Sequence, residues 1–287
     1  MTILIDGLSL GAIYALIALG YSMVYGIAKM LNFAHGDIIM VGAYSVMVAV
    51  ATIGSPIAAV IAAVVLCTAL GIAIEKVAYR PLRGASPLAV LITAIGVSYL
   101  LQSIAQLIFG ARTQPVTLVS LGAVSIGKLT VSLSSVVTLA VGAVIMVGLT
   151  LFIKTTKMGR AMIAVSEDRG AAELMGINVN FIISLTFAIG SALAAAAGVF
   201  YLLQIPSVSP TLGSMPGIKA FTAAVIGGIG SIPGAMIGGI MLGVIEKVCQ
   251  SIPALSPYTT AIEFGLLILI LLIKPTGLLG RKRREKV

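Results

Sequence analysis

The sequence predicts an all-α, polytopic bundle of membrane-spanning helices, and three observations lead there. Hydrophobic residues make up 59% of the 287-residue chain and charged residues 9%, against about 25% charged in an ordinary soluble domain. The apolar residues gather into runs near the length of about 20 that a helix needs to cross a bilayer while satisfying its own backbone hydrogen bonds. The charges that remain lie between the runs: 13 of the 18 Lys and Arg residues fall into three clusters, Lys76/Arg80/Arg83, Lys154/Lys157/Arg160/Arg169, and Lys274 with Arg281, Lys282, Arg283, Arg284 and Lys286.

The first apolar element is Gly7 to Ile27, and it starts beside Asp6 with no basic region before it, which makes a poor signal peptide. Asp37 to Ile53 and Pro56 to Ile74 follow, separated by the turn signal Gly54-Ser55, and then the basic loop Glu75 to Ser86. Pro87 to Phe109 is a fourth span. Residues 111–130 are rich in Val, Thr and Ser and predict a small extended or hairpin element outside the bilayer. Ser132 to Ile153 and Phe181 to Leu203 flank a charged loop. Gln204 to Gly217, with three prolines, reads as an outer loop. Ile218 to Ser251 either crosses twice, bending near Gly230 to Gly234, or enters and returns; Tyr258 to Ile273 is a plain last span. The expectation is about eight hydrophobic elements, one broken or re-entrant, in a single domain over residues 1–287.

The positive-inside rule places the three basic clusters in the cytoplasm, so the C-terminus is expected inside and the N-terminus outside. The net charge of +9 is therefore read as membrane topology rather than nucleic-acid binding, with the basic tail as an inner-face anchor. Cys67 and Cys249 have no metal-ligand spacing and read as small packing residues. Small residues four apart (Gly7 and Gly11; Gly190, Ala194 and Gly198; Gly230, Gly234 and Gly238) read as close helix contacts.

Residues 154–178 hold seven of the 27 charged residues, between two nearly charge-free spans. Ser166 is placed to cap a short helix, with Glu167 and Asp168 in its first turn, where the helix dipole favours acids. Ala171, Leu174 and Met175 form one apolar stripe, and Gly176 is placed to end the helix in a left-handed cap with Ile177 beside it. Such a stripe either lies on the lipid surface or docks a soluble partner, and the acids fit a soluble groove better than an anionic membrane surface.

Asn32-Phe-Ala-His35-Gly36-Asp37 sets three polar groups between two apolar segments. A charge at the bilayer centre costs about 2.5–3.5 kcal/mol on insertion scales. Asp37 is therefore expected at the cytoplasmic interface, in a watery cavity, or against a partner such as His35, either as an interfacial turn or as the polar lining of a pathway. Glu246, Lys247 and Glu263 are isolated charges near membrane depth, expected to pair with one another.

Several chemistries are argued against. Gly122 to Lys128 looks like the start of a phosphate loop, but Leu129 follows where Ser or Thr must hold magnesium. Gly228-Ile-Gly230-Ser-Ile-Pro233-Gly234 resembles a dinucleotide loop with proline in the third glycine position. His35 is the only histidine, and no hydrolytic or redox constellation emerges. The sequence argues against an enzyme, and no cofactor or metal is expected.

The charged segment resembles the coupling-helix region, or EAA loop, of bacterial ABC importer permeases. Gly170-Ala171-Ala172-Glu173-Leu174-Met175-Gly176 carries the match, with Gly170 where the general pattern has its first Glu. GLSLGAIYALIALGYSMVYGI (7–27), LNFAHGDIIMVGAY (31–44), IKAFTAAVIGGIGSIPGAMIGG (218–239) and GRAMIAVSEDRGAAELMGIN (159–178) together resemble branched-chain amino acid permeases of the LivH type and their urea- or amide-transporting relatives.

That resemblance implies one permease subunit of an importer in the bacterial cytoplasmic membrane. It implies a second related permease, two cytoplasmic ATPase subunits that bind the ATP, and a periplasmic or lipoprotein binding protein that delivers leucine, isoleucine or valine. Coupling is expected at Glu167, Asp168, Ala171, Ala172, Glu173, Leu174, Met175 and Gly176. The pathway or gate is expected at Asn32, His35, Gly36 and Asp37 and at Gly227, Gly228, Gly230, Pro233 and Gly234. The alternatives are a urea or short-amide importer, a stand-alone secondary transporter or channel, and a purely structural membrane subunit.

Overall fold

A computed structural model describes residues 2–116, 118–119, 122–126 and 129–280. The basic tail 281–287 and the Gly127-Lys128 part of the phosphate-loop look-alike lie outside the described residues. The chain is a helical bundle of α1 (Thr2–Ala28), α2 (His35–Ile53), α3 (Pro56–Ile74), α4 (Pro87–Phe109), α5 (Leu133–Thr155), α6 (Lys157–Glu167), α7 (Arg169–Leu174), α8 (Val179–Gln204), α9 (Ser214–Gly227), α10 (Ile232–Ser251) and α11 (Thr259–Ile273). Among the described residues, eight helical segments are long and apolar enough to cross a membrane, and α9, at 14 residues, is too short to be one of them.

Helix α1 is the core of the bundle. It is apolar on every face, the pattern of a helix surrounded by others, and Ala12, Ile13 and Ala15 through Leu19 are wholly buried. Helices α10, α8, α9 and α5 pack round it. The α1–α10 contact is antiparallel and needs small residues: a Cβ added at Gly11 would stand 2.7 Å from the Ile240 Cα, and one at Gly243 would stand 2.3 Å from the Gly11 Cα. The small-residue rows are thus packing surfaces within this chain.

The segment Glu75 to Leu82, read as loop, instead prolongs α3 through a π-helical turn (Glu75–Tyr79) and a 3-10 turn (Arg80–Leu82). The reason is tertiary. Glu75 is fully buried, accepts from Ser184 Oγ at 2.5 Å, and pairs with Arg83, which also donates to Asn180 on α8. Strands β2 (Ala123–Ile126) and β3 (Leu129–Ser132) form the expected hairpin, so the phosphate-loop look-alike lies on a strand pair rather than a strand–helix turn. Strand β1 (Gln114–Pro115) pairs with β4 (Ser207–Val208), tying the ends of α4 and α8 together.

One end of the bundle gathers the basic segments. Arg169 reaches the last carbonyls of α1, Arg83 reaches the start of α8, and Leu278 and Leu279 donate to Ile226 O and Gly227 O at 2.8 and 2.9 Å. The start of α1 lies at the other end, where Asp6 accepts from Ser135 and Ser9 meets Gln204, each at 2.8 Å.

Candidate functional site

After α1 ends at Ala28, the chain turns at Lys29 (φ 55°) and runs back beside α1 before α2 begins. The His35 ring therefore lies against Gly20, where a Cβ would stand 2.3 Å from Nε2. That is eight residues before Ala28, about 12 Å into the bundle. Helix α9 begins at the same level. A Cβ at Gly213 would stand 1.9 Å from Gly36 O, and one at Gly217 would stand 2.9 Å from the Gly36 Cα. Two helix N-termini thus meet inside the bundle, α2 leaving toward one end and α9 toward the basic end.

Asp37 occupies this junction at 2% exposure. It is not at an interface and is not paired with His35, as the sequence had allowed. Its carboxylate accepts from Gln102 Nε2 of α4 at 2.8 Å, and that amide also lies 3.3 Å from Ser98 Oγ and from Ser214 Oγ. The acid sits in the first turn of α2, where the helix dipole favours negative charge. Tyr21 meets His35 edge-on with ring centroids 4.7 Å apart, and Tyr79 OH donates to Asn32 Oδ1 at 2.8 Å. The second predicted group lies elsewhere: Gly228 (φ 106°) and Gly230 (φ 91°) make the turn between α9 and α10 at the basic end, with Gly230 against Gly26. Pro233 sits in the first turn of α10, which Ser231 caps, and Gly234 packs on Gly227. The two groups are separated by the 14 residues of α9, about 21 Å.

The buried charges resolve differently from the expectation that Glu246, Lys247 and Glu263 pair together. Both acids pair with Lys219 of α9, at 2.7 Å to Glu246 and 3.2 Å to Glu263. Tyr14 OH donates to Glu246 Oε2 at 2.6 Å and Gln250 Nε2 to Oε1 at 3.0 Å. Lys247 forms no ion pair among the described residues. Sequence reasoning passed over Lys219 and Gln102, although a lone Lys or Gln inside an apolar run is itself the signal.

Helix α7 starts two residues later than predicted. Asp168, not Ser166, is the cap, accepting from Ala171 N at 3.0 Å, and Glu167 ends α6. Ser166 instead donates to Ile163 O at 2.7 Å. The other end follows the sequence: Gly176 has φ 80°, its N–H donates to Glu173 O at 2.9 Å, and the Ile177 N–H donates to Ala172 O at 3.0 Å, which is the paired closure of a left-handed helix stop. Ala172 is buried, whereas Leu174 is 92% and Met175 81% exposed. Arg169 stands at the start of α7, where a cation is disfavoured, because it caps the C-terminal carbonyls of α1, Ile27 O at 3.4 Å and Ala28 O. Burial, with the charge of Arg83 adding to it, holds the Arg169 guanidinium pKa below its usual range.

A model of the family described as "Branched-chain amino acid transport system / permease component" matches residues 3–272. The high-affinity branched-chain amino acid transport system permease protein BraD of Pseudomonas aeruginosa is 45% identical, the match covering 99% of this chain and 97% of the relative. LivH of Escherichia coli K12, described in the same words, is 44% identical, covering 98% and 96%. A chain of the solved structure described as PsaBC from Streptococcus pneumoniae in complex with Fab superposes with a TM-score of 0.50 at 17% identity, covering 96% of this chain and 93% of that one. At that identity the likeness speaks for the fold alone. Fold and relatives together define a polytopic membrane permease, a transport subunit and not an enzyme. Within that class, the chain belongs to the family of permease components of branched-chain amino acid transport systems.

Proposed function

We propose that this chain is the membrane-spanning permease subunit of an ATP-driven importer for leucine, isoleucine and valine. The similarity along nearly the whole chain to permeases described as serving high-affinity branched-chain amino acid transport carries this reading. It favours these substrates over urea or short amides. In this reading the basic end faces the cytoplasm and the start of α1 faces outward, in line with the positive-inside rule. The chain pairs with a second related permease in the bacterial cytoplasmic membrane. An extracytoplasmic binding protein delivers the amino acid, and two cytoplasmic ATPase subunits bind the ATP, so the chain carries no cofactor of its own.

Residues Glu167 to Gly176 are the seat for an ATPase subunit, with Leu174 and Met175 as the knob. Arg169 links α7 to the end of α1, Gly26 of α1 rests on Gly230, and α9 connects that turn to Gly36. Motion of the ATPases would reach the α2–α9 junction along this route, which makes Asn32, His35, Gly36 and Asp37 the gate and residues 227–234 its hinge.

The test is uptake of radiolabelled leucine by the assembled transporter with Leu174→Asp and Met175→Asp combined. Both side chains are exposed, so the variant inserts and folds; uptake and substrate-stimulated ATP hydrolysis should fall together by at least about tenfold. Uptake that persists in the variant, or without the ATPase subunits, would instead identify a stand-alone transporter.

A further inference from the structure

A groove of about 440 Å³ opens at the basic end between the π-helical turn of α3 and the first turns of α8. Lys76, Arg80, Asn178 and Asn180 line it nearest the helix ends, and Ile72, Ser184, Leu185 and Ala188 line it farther along α3 and α8. The two cations lie at one end of this lining, while Ser184 is the one polar residue among those farther along. Lys76 and Arg80 lie four and eight residues beyond Ile72, and Ala188 lies eight beyond Asn180, so the groove passes from cationic to apolar over about 12 Å.

The cations are left over from the local charge balance. Glu75, the neighbouring acid, is satisfied by Arg83 and Ser184. Among the described residues the side chains of Lys76 and Arg80 have no hydrogen-bond or ion-pair partner. Phe181, in the lining, is 51% exposed, and Val77, next to Lys76 in the chain, is 78% exposed, so large apolar side chains stand bare at this end as well.

We propose that this groove binds an anionic glycerophospholipid. Its phosphate lies between Lys76 and Arg80, and an acyl chain lies along Ile72, Leu185 and Ala188. Basic pockets between transmembrane helices recognise such headgroups by charge. The depth argues against a soluble subunit as occupant, since a water-soluble surface at the headgroup level does not reach the level of Ala188. A free phosphate ion would leave the apolar half uncovered. The site is independent of the importer reading, because it needs only the chain in a bilayer.

The test is native mass spectrometry of the full chain in detergent, titrated with palmitoyl-oleoyl phosphatidylglycerol or the phosphatidylcholine of the same chains. Phosphatidylglycerol is expected to bind saturably and phosphatidylcholine not. Lys76→Gln and Arg80→Gln should each weaken it about fivefold, and the two together about 25-fold. Ala188→Phe, which fills the apolar end and leaves the charges, should weaken it as well, and excess inorganic phosphate should not displace it. Both cations are exposed, so their variants fold, and size-exclusion profiles check this. Equal binding of the two lipids, undiminished binding in the double Gln variant, or displacement by inorganic phosphate would each overturn the proposal. So would a photo-crosslinker at Leu185 that captures an ATPase subunit rather than lipid in the assembled transporter.

Discussion

Replacing Lys219 with methionine removes the cation that, among the described residues, two buried carboxylates share. Its Nζ lies 2.7 Å from Glu246 Oε1 and 3.2 Å from Glu263 Oε2, and the three side chains are at most 9% exposed. Glu246 keeps its bonds from Tyr14 and Gln250, whereas Glu263 loses its bond from Lys219 and is left facing a second acid, Glu246. Breaking one partner out of a buried ion pair costs about 3–5 kcal/mol, because the remaining charge is stranded without solvent. At about 2–4 °C per kcal/mol for a chain of this size class, thermal unfolding in detergent should move down by about 10 °C. The triple change Lys219→Met, Glu246→Gln and Glu263→Gln removes both stranded charges and keeps the volumes, so it should recover most of the loss, since replacing a whole buried charge set is close to neutral. A single variant that melts within about 3 °C of the parent, or a triple variant less stable than the single one, would refute the assignment of Lys219 as the neutralising group.

Gly213→Ala forces a methyl to within 1.9 Å of Gly36 O at the α2–α9 junction and should cost about 1–3 kcal/mol or more; Gly148→Ala, where the methyl meets nothing within 4 Å, is the matched control in the same melting assay. Gln102→Leu removes one of the two side-chain donors to Asp37, leaving Ser98, and should destabilise by about 1–3 kcal/mol, read as a lower melting temperature with membrane insertion retained. Asp168→Ala removes the cap of α7 at about 1 kcal/mol, a local effect that should appear as faster amide hydrogen exchange around Ala171 with little change in global melting. Arg169→Gln loosens α7 from the end of α1; on the proposed route, leucine uptake should fall while ATPase binding, measured by co-purification, persists.

Much of the bundle was legible because its signals are local. The bounds of α4 follow from Ser86-Pro87 at one end and Gly110 at the other, with Ser86 Oγ accepting from Ala89 N at 3.3 Å. The stop of α7 at Gly176 follows from a single residue that tolerates positive φ. The start of α7 was misplaced by two residues because Ser166 and Asp168 are both competent caps, and only the packed position of α6 leaves Asp168 with extended backbone (φ −154°). Glu75 to Leu82 read as loop because its charges carry no record of Ser184 and Asn180, which lie about a hundred residues on.

By itself, then, the sequence determined that this chain lives in lipid as a helical bundle, the bounds of spans such as α4 that carry a cap and a stop, and which short helix carries a bare apolar knob. Those properties depend on hydrophobic runs, caps and turn residues a few positions apart. Only the tertiary structure decided that α2 and α9 start against each other in the bundle interior, that Gln102 serves Asp37, and that Lys219 serves both Glu246 and Glu263. In a low-dielectric interior each buried charge must find a partner, but which partner depends on how distant helices pack.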